Sequence, residues 1–381
     1  MRGAQAQKGA VTAMLESHEE QVEFRDWLRE GMHRAAPLEH TRKIVEGGNR
    51  ADPALWQSVV ELTVPAMAIP EAYGGTDLGP VGMVIALQET GRVLLPTGHL
   101  TTGFVAPLVL LELDDAGALE QLLPQIASGT TRVAVADLDP GPGSVLTPVR
   151  ASMGADGPTL TGTKTVVVDA DVADELLVAV HDGEESSLFL ASASAPGVRI
   201  ASAPPLDTSR PALTVSFDAA PARPIGASGA ARRAVELGRG LLALGVTAEA
   251  SGALEACMNL AVEYAKIRVQ FGRPIGQFQA IKHLCADMFV DTQASQAIVH
   301  DVAADWAATG RLDPRRALVA AAYVGEAFTR TASGTVQVHG GIGITWEQPT
   351  HLFLKRAKAD QLLLGGVDAE IATLSEELFS A

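Results

Sequence analysis

The sequence predicts an α+β fold in three consecutive parts: an N-terminal helical domain over residues 1–128, a middle antiparallel β-barrel or sandwich over 129–226, and a C-terminal four-helix bundle over 227–381. Three observations predict this fold. The chain has 381 residues, which is enough for two or three hydrophobic cores. Apolar residues recur about every 3.6 positions in the first and last parts, as on one face of a helix. Between them, short β-rich runs alternate with Gly, Pro and Asp, which is typical of a small sheet structure.

The N-terminal part contains at least three predicted helices. The first covers residues 19–35, where apolar side chains recur among charged ones: Val22, Phe24, Trp27, Leu28 and Met32. A second helix begins with Asp52 as its N-cap and Pro53 at its first helical position. Residues 70–75 form a predicted turn, and a third helix is predicted over 81–95, where Pro96 breaks it.

The middle and C-terminal parts differ in the period of their apolar residues. The predicted strands are 132–136, 165–168, 175–180, 187–190 and 213–217. The predicted bundle helices are 232–264, 280–309, 315–338 and 349–359. Gly272 and Pro274 form the turn after the first of these helices, and Gly340-Gly341 stops the third.

Composition excludes several classes of function. The chain is 47% hydrophobic and rich in alanine, which suits long packed helices. Its formal net charge of −16 makes nucleic acid an unsuitable partner. Cys257 and Cys285 have no CxxC spacing and the histidines show no paired ligand spacing, so we expect no disulfide framework, no metal site and a cytoplasmic location. We expect neither a signal peptide nor a membrane span, because no apolar stretch reaches about 18 residues.

Two segments carry chemistry suited to a large anionic dinucleotide. The first is Arg268-Val-Gln-Phe271-Gly, and the second is Gln337-Val-His-Gly340-Gly341. An arginine pairs bidentately with a diphosphate, and a phenylalanine offers a flat apolar face. Adjacent glycines allow backbone N–H groups to approach phosphate oxygens closely. Taken singly, the arginine would suit a surface ion pair and the phenylalanine a core position.

These segments, with four further motifs in the same order, resemble the acyl-CoA dehydrogenase family over essentially the whole chain. The other motifs are IPEAYGGT at 69–76, QETGR at 88–92, LTGTK at 160–164 with VAD at 172–174, and LDTSR at 206–210 with VSFD at 215–218. The resemblance implies FAD as cofactor and α,β-desaturation of a CoA thioester. In that reaction a carboxylate takes the α-proton and a hydride passes to the flavin. An electron-transfer flavoprotein is the partner that the resemblance implies.

In this family each FAD lies between two subunits, and the resemblance assigns residues of this chain to both halves of such a site. Six residues would hold the ADP half of a neighbour's flavin: Arg268, Phe271, Gln279, Gln337, Gly340 and Gly341. The strand domain would hold the flavin ring, with Ser144 in the turn 138–145. A site shared in this way requires at least a dimer.

The ring half departs from the family pattern. Where many members have the sequence W-I-T, this chain has valines at 166–168, and the turn 138–145 lacks the family's Thr and final Asp. Gly365 stands where most members have the catalytic Glu, and a glycine cannot accept a proton. Some members place the base on the first bundle helix, at the position of Leu242, which is not acidic either.

Glu249 is the candidate for a relocated base. It lies seven residues after Leu242, about two helical turns, so both residues share a helix face. Its neighbours are small and apolar, and a lone carboxylate is costly to bury there without a reason. Glu249 either serves as the base or pairs with an arginine on a neighbouring helix.

Two functions of different class therefore remain open at this point. One is a self-sufficient homomeric dehydrogenase with Glu249 as base. The other is a base-deficient subunit that pairs with a homologous chain in a heterotetramer, as in relatives that act on bulky or steroid-type CoA thioesters. The second is favoured, because the residues given to a neighbour are retained while those of the chain's own site are lost. A flavin monooxygenase or oxidase is a third, less favoured function.

Overall fold

The computed structural model describes residues 17–137, 146–154, 157–183, 185–201, 205–226 and 230–364. It confirms the predicted order of helices, strands and helices. Ser144 and Gly365, two positions singled out above, lie outside the described residues.

The N-terminal part is helical, as predicted. Its α-helices are α1 His18–Ala35, α2 Leu38–Gly47, α3 Pro53–Glu61, α4 Gly79–Arg92, α5 Ala106–Leu113 and α6 Ala116–Ala127. The predicted cap of α3 is confirmed, because the Asp52 carboxylate accepts from the backbone N–H groups of Ala54 and Leu55 at 2.9 and 3.1 Å. A π-helical turn, Thr101–Val105, precedes α5 and is entirely buried.

The middle part contains two four-stranded sheets. The strands are β1 Val133–Ala136, β2 Arg150–Gly154, β3 Gly157–Val168, β4 Glu175–Asp182, β5 Glu185–Ser192, β6 Val198–Ala201, β7 Ala212–Pro221 and β8 Arg223–Ile225. One sheet has the order β1-β4-β5-β8 and the other β2-β3-β7-β6. All described pairs of these sheets are antiparallel except β1 with β4, which is parallel. A parallel pair needs a long connection, and here β2 and β3 of the other sheet lie between the two strands.

A single apolar core joins residues from both sheets. Its fully buried members include Leu160 and Val215 of one sheet with Leu176 and Val178 of the other. In the first part of β7, Leu213, Val215 and Phe217 are buried while the residues between them are half-buried, the period of two expected for a strand with one face on the core. The prediction of a sandwich-like middle part is confirmed.

The C-terminal part contains four long helices, α7 Ala230–Ile267, α8 Gln279–Thr309, α9 Pro314–His339 and α10 Thr350–Leu363. A short hairpin, β9 Val269–Gln270 with β10 Arg273–Pro274, links α7 to α8. By length and composition α7 is able to cross a bilayer, but 83% of its most apolar stretch is buried within the protein, which is typical of a core helix.

By its internal contacts the chain divides into two compact units, and neither unit is a continuous stretch of the sequence. Unit 1 contains residues 1–21, 49–83 and 97–242, and unit 2 contains 22–48, 84–96 and 243–381. The segments of α1, α2 and α4 in unit 2 were predicted to belong to an N-terminal domain. The predicted boundaries at 128 and 226 follow changes in sequence pattern and stay a prediction.

Two glycines set how α4 and α7 cross within unit 2. A Cβ added to Gly91 would lie 2.0 Å from the carbonyl oxygen of Glu249, and one added to Gly252 would lie 1.9 Å from that of Gln88. The two pairs are reciprocal, since each helix presents one glycine to the backbone of the other. Only residues without a side chain permit this approach.

Candidate functional site

The hairpin after α7 presents Phe271 to solvent. Phe271 and Gly272 form its two-residue turn, with φ of 53° and 77°, which is the type I′ geometry of tight hairpins. Glycine adopts such a φ freely, whereas phenylalanine does so at a cost. The ring of Phe271 is 93% exposed and touches Phe278 edge-to-face at a centroid distance of 6.1 Å. The chain therefore holds a large apolar ring outward in a strained backbone conformation.

The second motif surrounds the end of α9. Gln337 is exposed, and α9 ends at Gly340, whose φ is 65°. A Cβ added to Gly340 or Gly341 would meet no atom of the chain within 4 Å. The Cα side of both glycines therefore faces open space, so another molecule is able to approach the backbone closely. The N–H of Gly340 itself donates to the carbonyls of Val336 and Gln337, so the expectation of a free N–H group does not hold at this residue.

A stacked pair joins the two motifs at one end of unit 2. The rings of Tyr264 and His339 stack at 4.3 Å with an interplanar angle of 21°. The backbone N–H of Arg268 donates to the carbonyl of Tyr264 at 2.9 Å. His339 itself lies between Gln337 and Gly340 in the second motif. The structure thus brings together segments that are at least 65 positions apart in sequence.

His339 has a packing role. It is 6% exposed, and its Nδ1 carries the proton because it lies 2.8 Å from the carbonyl oxygen of Thr335, which only accepts. Burial lowers the pKa of His339 below its usual value, which favours the neutral ring. These contacts are those of a packed, hydrogen-bonded histidine rather than of a catalyst.

The donor set at this end of unit 2 fits an adenine–diphosphate group. Gln279, the first residue of α8, is exposed like Gln337, so two amides face solvent here. Arg268 is also exposed, and its guanidinium makes no salt bridge among the residues that the structure describes. The phosphates and base of a dinucleotide require groups of this kind: a guanidinium, two amides, a solvent-exposed aromatic ring and backbone without side chains.

The strand that would face the flavin ring contains a bulge. Between Lys164 and Val167, β3 has one residue more than its partner β7, and Val166 within that bulge has a φ of 57°. For a β-branched residue this conformation is a true outlier, of the kind concentrated at functional sites. Val167 and Val168 are buried. The ring side therefore offers only apolar side chains and backbone groups in this segment.

Glu249, the candidate base, is enclosed in unit 2. Its side chain is 1% exposed where α7 crosses α4. The hydroxyl of Thr90 donates either to Glu249 Oε1 at 3.2 Å or to the carbonyl of Leu87 at 2.8 Å. One hydrogen-bond partner of this carboxylate is therefore a threonine on α4, a contact that the sequence did not predict.

Near Glu249, the QETGR motif at 88–92 forms an ion network inside unit 2. Glu89 is 1% exposed and meets the Arg29 guanidinium at two points, 2.8 and 2.9 Å. Arg92 pairs with Glu255 at 2.8 Å, which ties α4 to α7. A two-point pair fixes orientation as well as charge. The motif therefore has a structural role in connecting three helices.

Sequence reasoning missed a polar cluster in unit 1 centred on Asp137. This residue follows β1 directly and receives hydrogen bonds or ion pairs from three elements: Lys164 on β3, His181 on β4 and Arg239 on α7. Beside it lies a groove of about 400 Å³ between the β4–β5 hairpin and the start of α7. The available signal was an acidic residue directly before the turn 138–145, but nothing local pointed to its partners. Within the described part of the chain, no group of His, Cys, Asp or Glu is placed to hold a metal ion.

Comparisons with known proteins agree with the fold and with the motifs. Models of the acyl-CoA dehydrogenase N-terminal and C-terminal domains match residues 18–130 and 229–379. The acyl-CoA dehydrogenase IpdE2 of Mycolicibacterium smegmatis is 31% identical over 94% of this chain and 99% of its own length. The acyl-CoA dehydrogenase FadE27 of Mycobacterium tuberculosis is 31% identical over 89% of this chain and 92% of its own.

Two solved structures are similar along nearly their whole length. A variant of the steroid ACAD Tcur3481–Tcur3483 matches with a TM-score of 0.84 and 30% identity, over 95% of this chain and 98% of that one. The ChsE4–ChsE5 complex of Mycobacterium tuberculosis matches with a TM-score of 0.84 and 26% identity, over 97% and 100%. The chain therefore belongs to the acyl-CoA dehydrogenase family, the FAD-dependent oxidoreductases that act on CoA thioesters.

Proposed function

We propose that this chain is the base-deficient subunit of a heteromeric acyl-CoA dehydrogenase, and that it gives the ADP-binding half of a flavin site to a homologous partner chain. The observation that carries the proposal is the surface formed by the two motifs. Phe271 is 93% exposed in a strained turn, and the backbone at Gly340 and Gly341 faces open space. A lone chain gains nothing from such a surface, whereas a ligand and a second chain would cover it.

Further apolar side chains flank the two motifs and support a covered surface. Ile267, Val269, Ile344 and Trp346 are all at least half exposed. Exposed apolar groups that lie together on a soluble protein mark interaction sites more often than chance. A homologous partner chain, with the ring half of its own flavin site next to this surface, is the occupant that accounts for both the polar donors and the apolar flank.

The roles of the chain's own residues follow from their chemistry. Bound FAD supplies the acceptor for the hydride that leaves the β-carbon of the thioester. Arg268 would neutralise diphosphate charge, and Gln279 and Gln337 would donate to the nucleotide. The side-chain-free backbone at Gly340 and Gly341 would let the nucleotide lie close to the end of α9. None of these groups takes or gives a proton, so their contribution is binding and orientation.

The missing base supports the same proposal. A general base must come within hydrogen-bond reach of the proton that it removes. Gly365 has no such group, and Glu249 is 1% exposed beneath Thr90. The alternative, a self-sufficient homomeric enzyme with Glu249 as base, requires this carboxylate to leave its enclosed position. The third function, a flavin monooxygenase or oxidase, has no supporting feature among the described residues.

The substrate class is proposed from the relatives. One similar structure is described as a steroid ACAD and another is a complex of two different chains, ChsE4 and ChsE5. We propose a bulky, steroid-type CoA thioester as substrate, a heterotetramer as the assembly and an electron-transfer flavoprotein as the electron acceptor. A cytoplasmic location is part of the same proposal and agrees with the two free cysteines.

The test is the ratio of flavin to protein. The full chain is purified alone and after co-expression with a homologous chain that has an intact acidic base, and the visible flavin spectrum is recorded. We expect little flavin in the lone chain and about one FAD per pair of different chains in the complex. A full complement of flavin in the lone chain, together with dye-linked turnover of a CoA thioester, would contradict the proposal.

Three variants refine this test. Arg268→Ala in the complex should lower flavin occupancy, because the diphosphate of FAD would lose its bidentate interaction with the guanidinium. The matched control is Arg330→Ala, which removes an arginine of α9 that pairs with Asp291 instead. Glu249→Gln in the complex should leave thioester turnover unchanged. A loss of turnover in that variant, with the melting temperature kept, would favour the relocated base.

A further inference from the structure

The stacked pair of Tyr264 and His339 lies where the two motifs of unit 2 meet. Tyr264 is four residues before Arg268, whose backbone N–H donates to the Tyr264 carbonyl at 2.9 Å. His339 directly precedes Gly340 at the end of α9. Because the two rings stack at 4.3 Å with an interplanar angle of 21°, they connect the end of α7 directly to the end of α9.

Packing holds both rings in place. The ring of Tyr264 lies against an apolar core that includes Met288 and Val338. His339 is 6% exposed, and its Nδ1 donates to the carbonyl of Thr335 at 2.8 Å. Aromatic rings that are held in this way present their polar atoms in fixed positions, so a ligand that used these atoms would lose little side-chain entropy on binding.

Each ring also has one polar atom that the chain leaves without a partner. The hydroxyl of Tyr264 and Nε2 of His339 make no hydrogen bond to any residue that the structure describes, and both atoms keep contact with solvent. Since Nδ1 of His339 carries the proton, its Nε2 is an acceptor. A tyrosine hydroxyl is able to donate. The stacked pair therefore offers one acceptor and one donor to a ligand.

The neighbours of the pair indicate which part of a nucleotide it would meet. The exposed ring of Phe271 suits a base, whereas Arg268 and the side-chain-free backbone at Gly340 suit a diphosphate. In every nucleotide the sugar connects these two parts, and in this chain the stacked pair connects the two motifs. A ribose has two adjacent hydroxyls, and each of them is able to donate and to accept. These hydroxyls match the acceptor and the donor of the pair.

We propose that Tyr264 and His339 bind the ribose of the adenosine half, with the Tyr264 hydroxyl donating to one sugar hydroxyl and Nε2 of His339 accepting from the other. The inference rests on the proposed function, in which this surface takes the ADP half of a flavin. The pair thereby determines specificity for a sugar that has both hydroxyls. A sugar without them would cover the two polar atoms and leave them unpaired, which is unfavourable.

The experiment titrates the purified full chain with ADP and with 2′,3′-dideoxy-ADP, which lacks both hydroxyls, and follows binding by isothermal titration calorimetry. The wild type should bind ADP at least about threefold more tightly. Tyr264→Phe and His339→Phe keep an aromatic stack and remove one polar atom each. Each variant should lose affinity for ADP and keep its affinity for the dideoxy nucleotide, whereas a merely structural role would weaken both nucleotides alike.

Two further variants serve as controls. Tyr323→Phe removes a hydroxyl from another tyrosine of α9 that takes no part in the stack, so the preference for ADP should stay as in the wild type. Arg268→Ala should weaken both nucleotides by the same factor, because the diphosphate is common to both.

Equal affinities of the wild type for the two nucleotides would overturn the proposal, as would a preference for ADP that persists in both Tyr264→Phe and His339→Phe. A wild type that binds neither nucleotide at millimolar concentration would overturn it as well. If His339→Phe does not fold, as judged by circular dichroism, Tyr264→Phe decides alone.

The two proposals fail separately. A full flavin complement in the lone wild-type chain would reject the role as a base-deficient subunit, whatever the preference for the sugar. A lone chain with little flavin that binds ADP and the dideoxy nucleotide equally well would reject only the role of Tyr264 and His339.

Discussion

At the scale of single residues, the structure shows a chain that accepts local strain where it would meet a cofactor. Phe271 and Val166 both have positive φ, and both lie in segments that the family resemblance connects with the flavin. A non-glycine residue in this region costs of the order of 1–2 kcal/mol. Phe271 recovers none of that cost by burial in the lone chain, since its ring is 93% exposed. The cost makes sense when another molecule covers the ring.

Phe271→Asn tests this account. Asparagine is favoured at the first central position of a type I′ turn, and almost no apolar burial is lost. We expect the lone chain to gain about 1 kcal/mol in its free energy of unfolding, measured by urea denaturation. Flavin uptake by the complex with the partner chain should fall in the same variant. A variant that is less stable than the wild type would show that the ring already supports the hairpin.

His300 gives a prediction for pH. Burial, and then the nearby Arg25 guanidinium, lowers the pKa of His300 to about 4, and Arg25 Nη2 donates to His300 Nε2 at 3.1 Å. The unfolded chain therefore binds a proton more readily than the folded chain between pH 6.5 and about 4. Stability is complete above pH 6.5 and falls as the pH drops through this window, by roughly 2–3 kcal/mol at most.

His300→Gln should remove that part of the pH dependence, because the amide oxygen accepts from Arg25 but does not titrate. The measurement is the urea midpoint at pH 7.0 and at about pH 4.5. The control is His33→Gln, because His33 is exposed. Its urea midpoint should change with pH as much as that of the wild type. If the urea midpoint falls by the same amount between pH 7.0 and about pH 4.5 in the wild type and in His300→Gln, other groups cause the acid sensitivity.

At the scale of elements, helix crossing in unit 2 depends on two glycines rather than on the apolar stripe alone. α4 and α7 approach so closely that Gly91 and Gly252 lie against the opposite backbone. The same crossing encloses Glu249 beneath Thr90 and sets Arg92 within reach of Glu255. Periodicity predicted both helices, but it carried no information on which faces would meet.

Gly252→Ala should destabilise unit 2 by at least about 3 kcal/mol, because the new methyl group would lie 1.9 Å from a carbonyl oxygen that cannot yield without moving a helix. Gly341→Ala is the matched control, since its methyl group meets open space in the lone chain. We expect that control to unfold within about 0.5 kcal/mol of the wild type in urea. A Gly252→Ala protein of wild-type stability would mean that the two helices separate easily.

At the scale of the whole molecule, each compact unit is assembled from three separate segments of the chain. Segments 22–48 and 84–96 belong to the same unit as the C-terminal helices, and the first part of α7 belongs to the unit that contains the sheets. Unit 1 contains the ring-side strands and the Asp137 cluster, and unit 2 contains the exposed ADP-side motifs and Glu249. Unit 2 therefore carries the surface that the proposed role offers to another chain.

The sequence by itself determined the order of helices and strands and the family, and it predicted a dinucleotide-binding surface. Periodicity, capping at Asp52 and contiguous motifs around Arg268 and Gly340 are local, so they are readable along the chain. Only the tertiary structure decided where charges and glycines meet. Arg239 reaches Asp137 across 102 positions, and Thr90 reaches Glu249 across 159. Such pairs form only when packing brings distant segments together, and no local pattern contains that information.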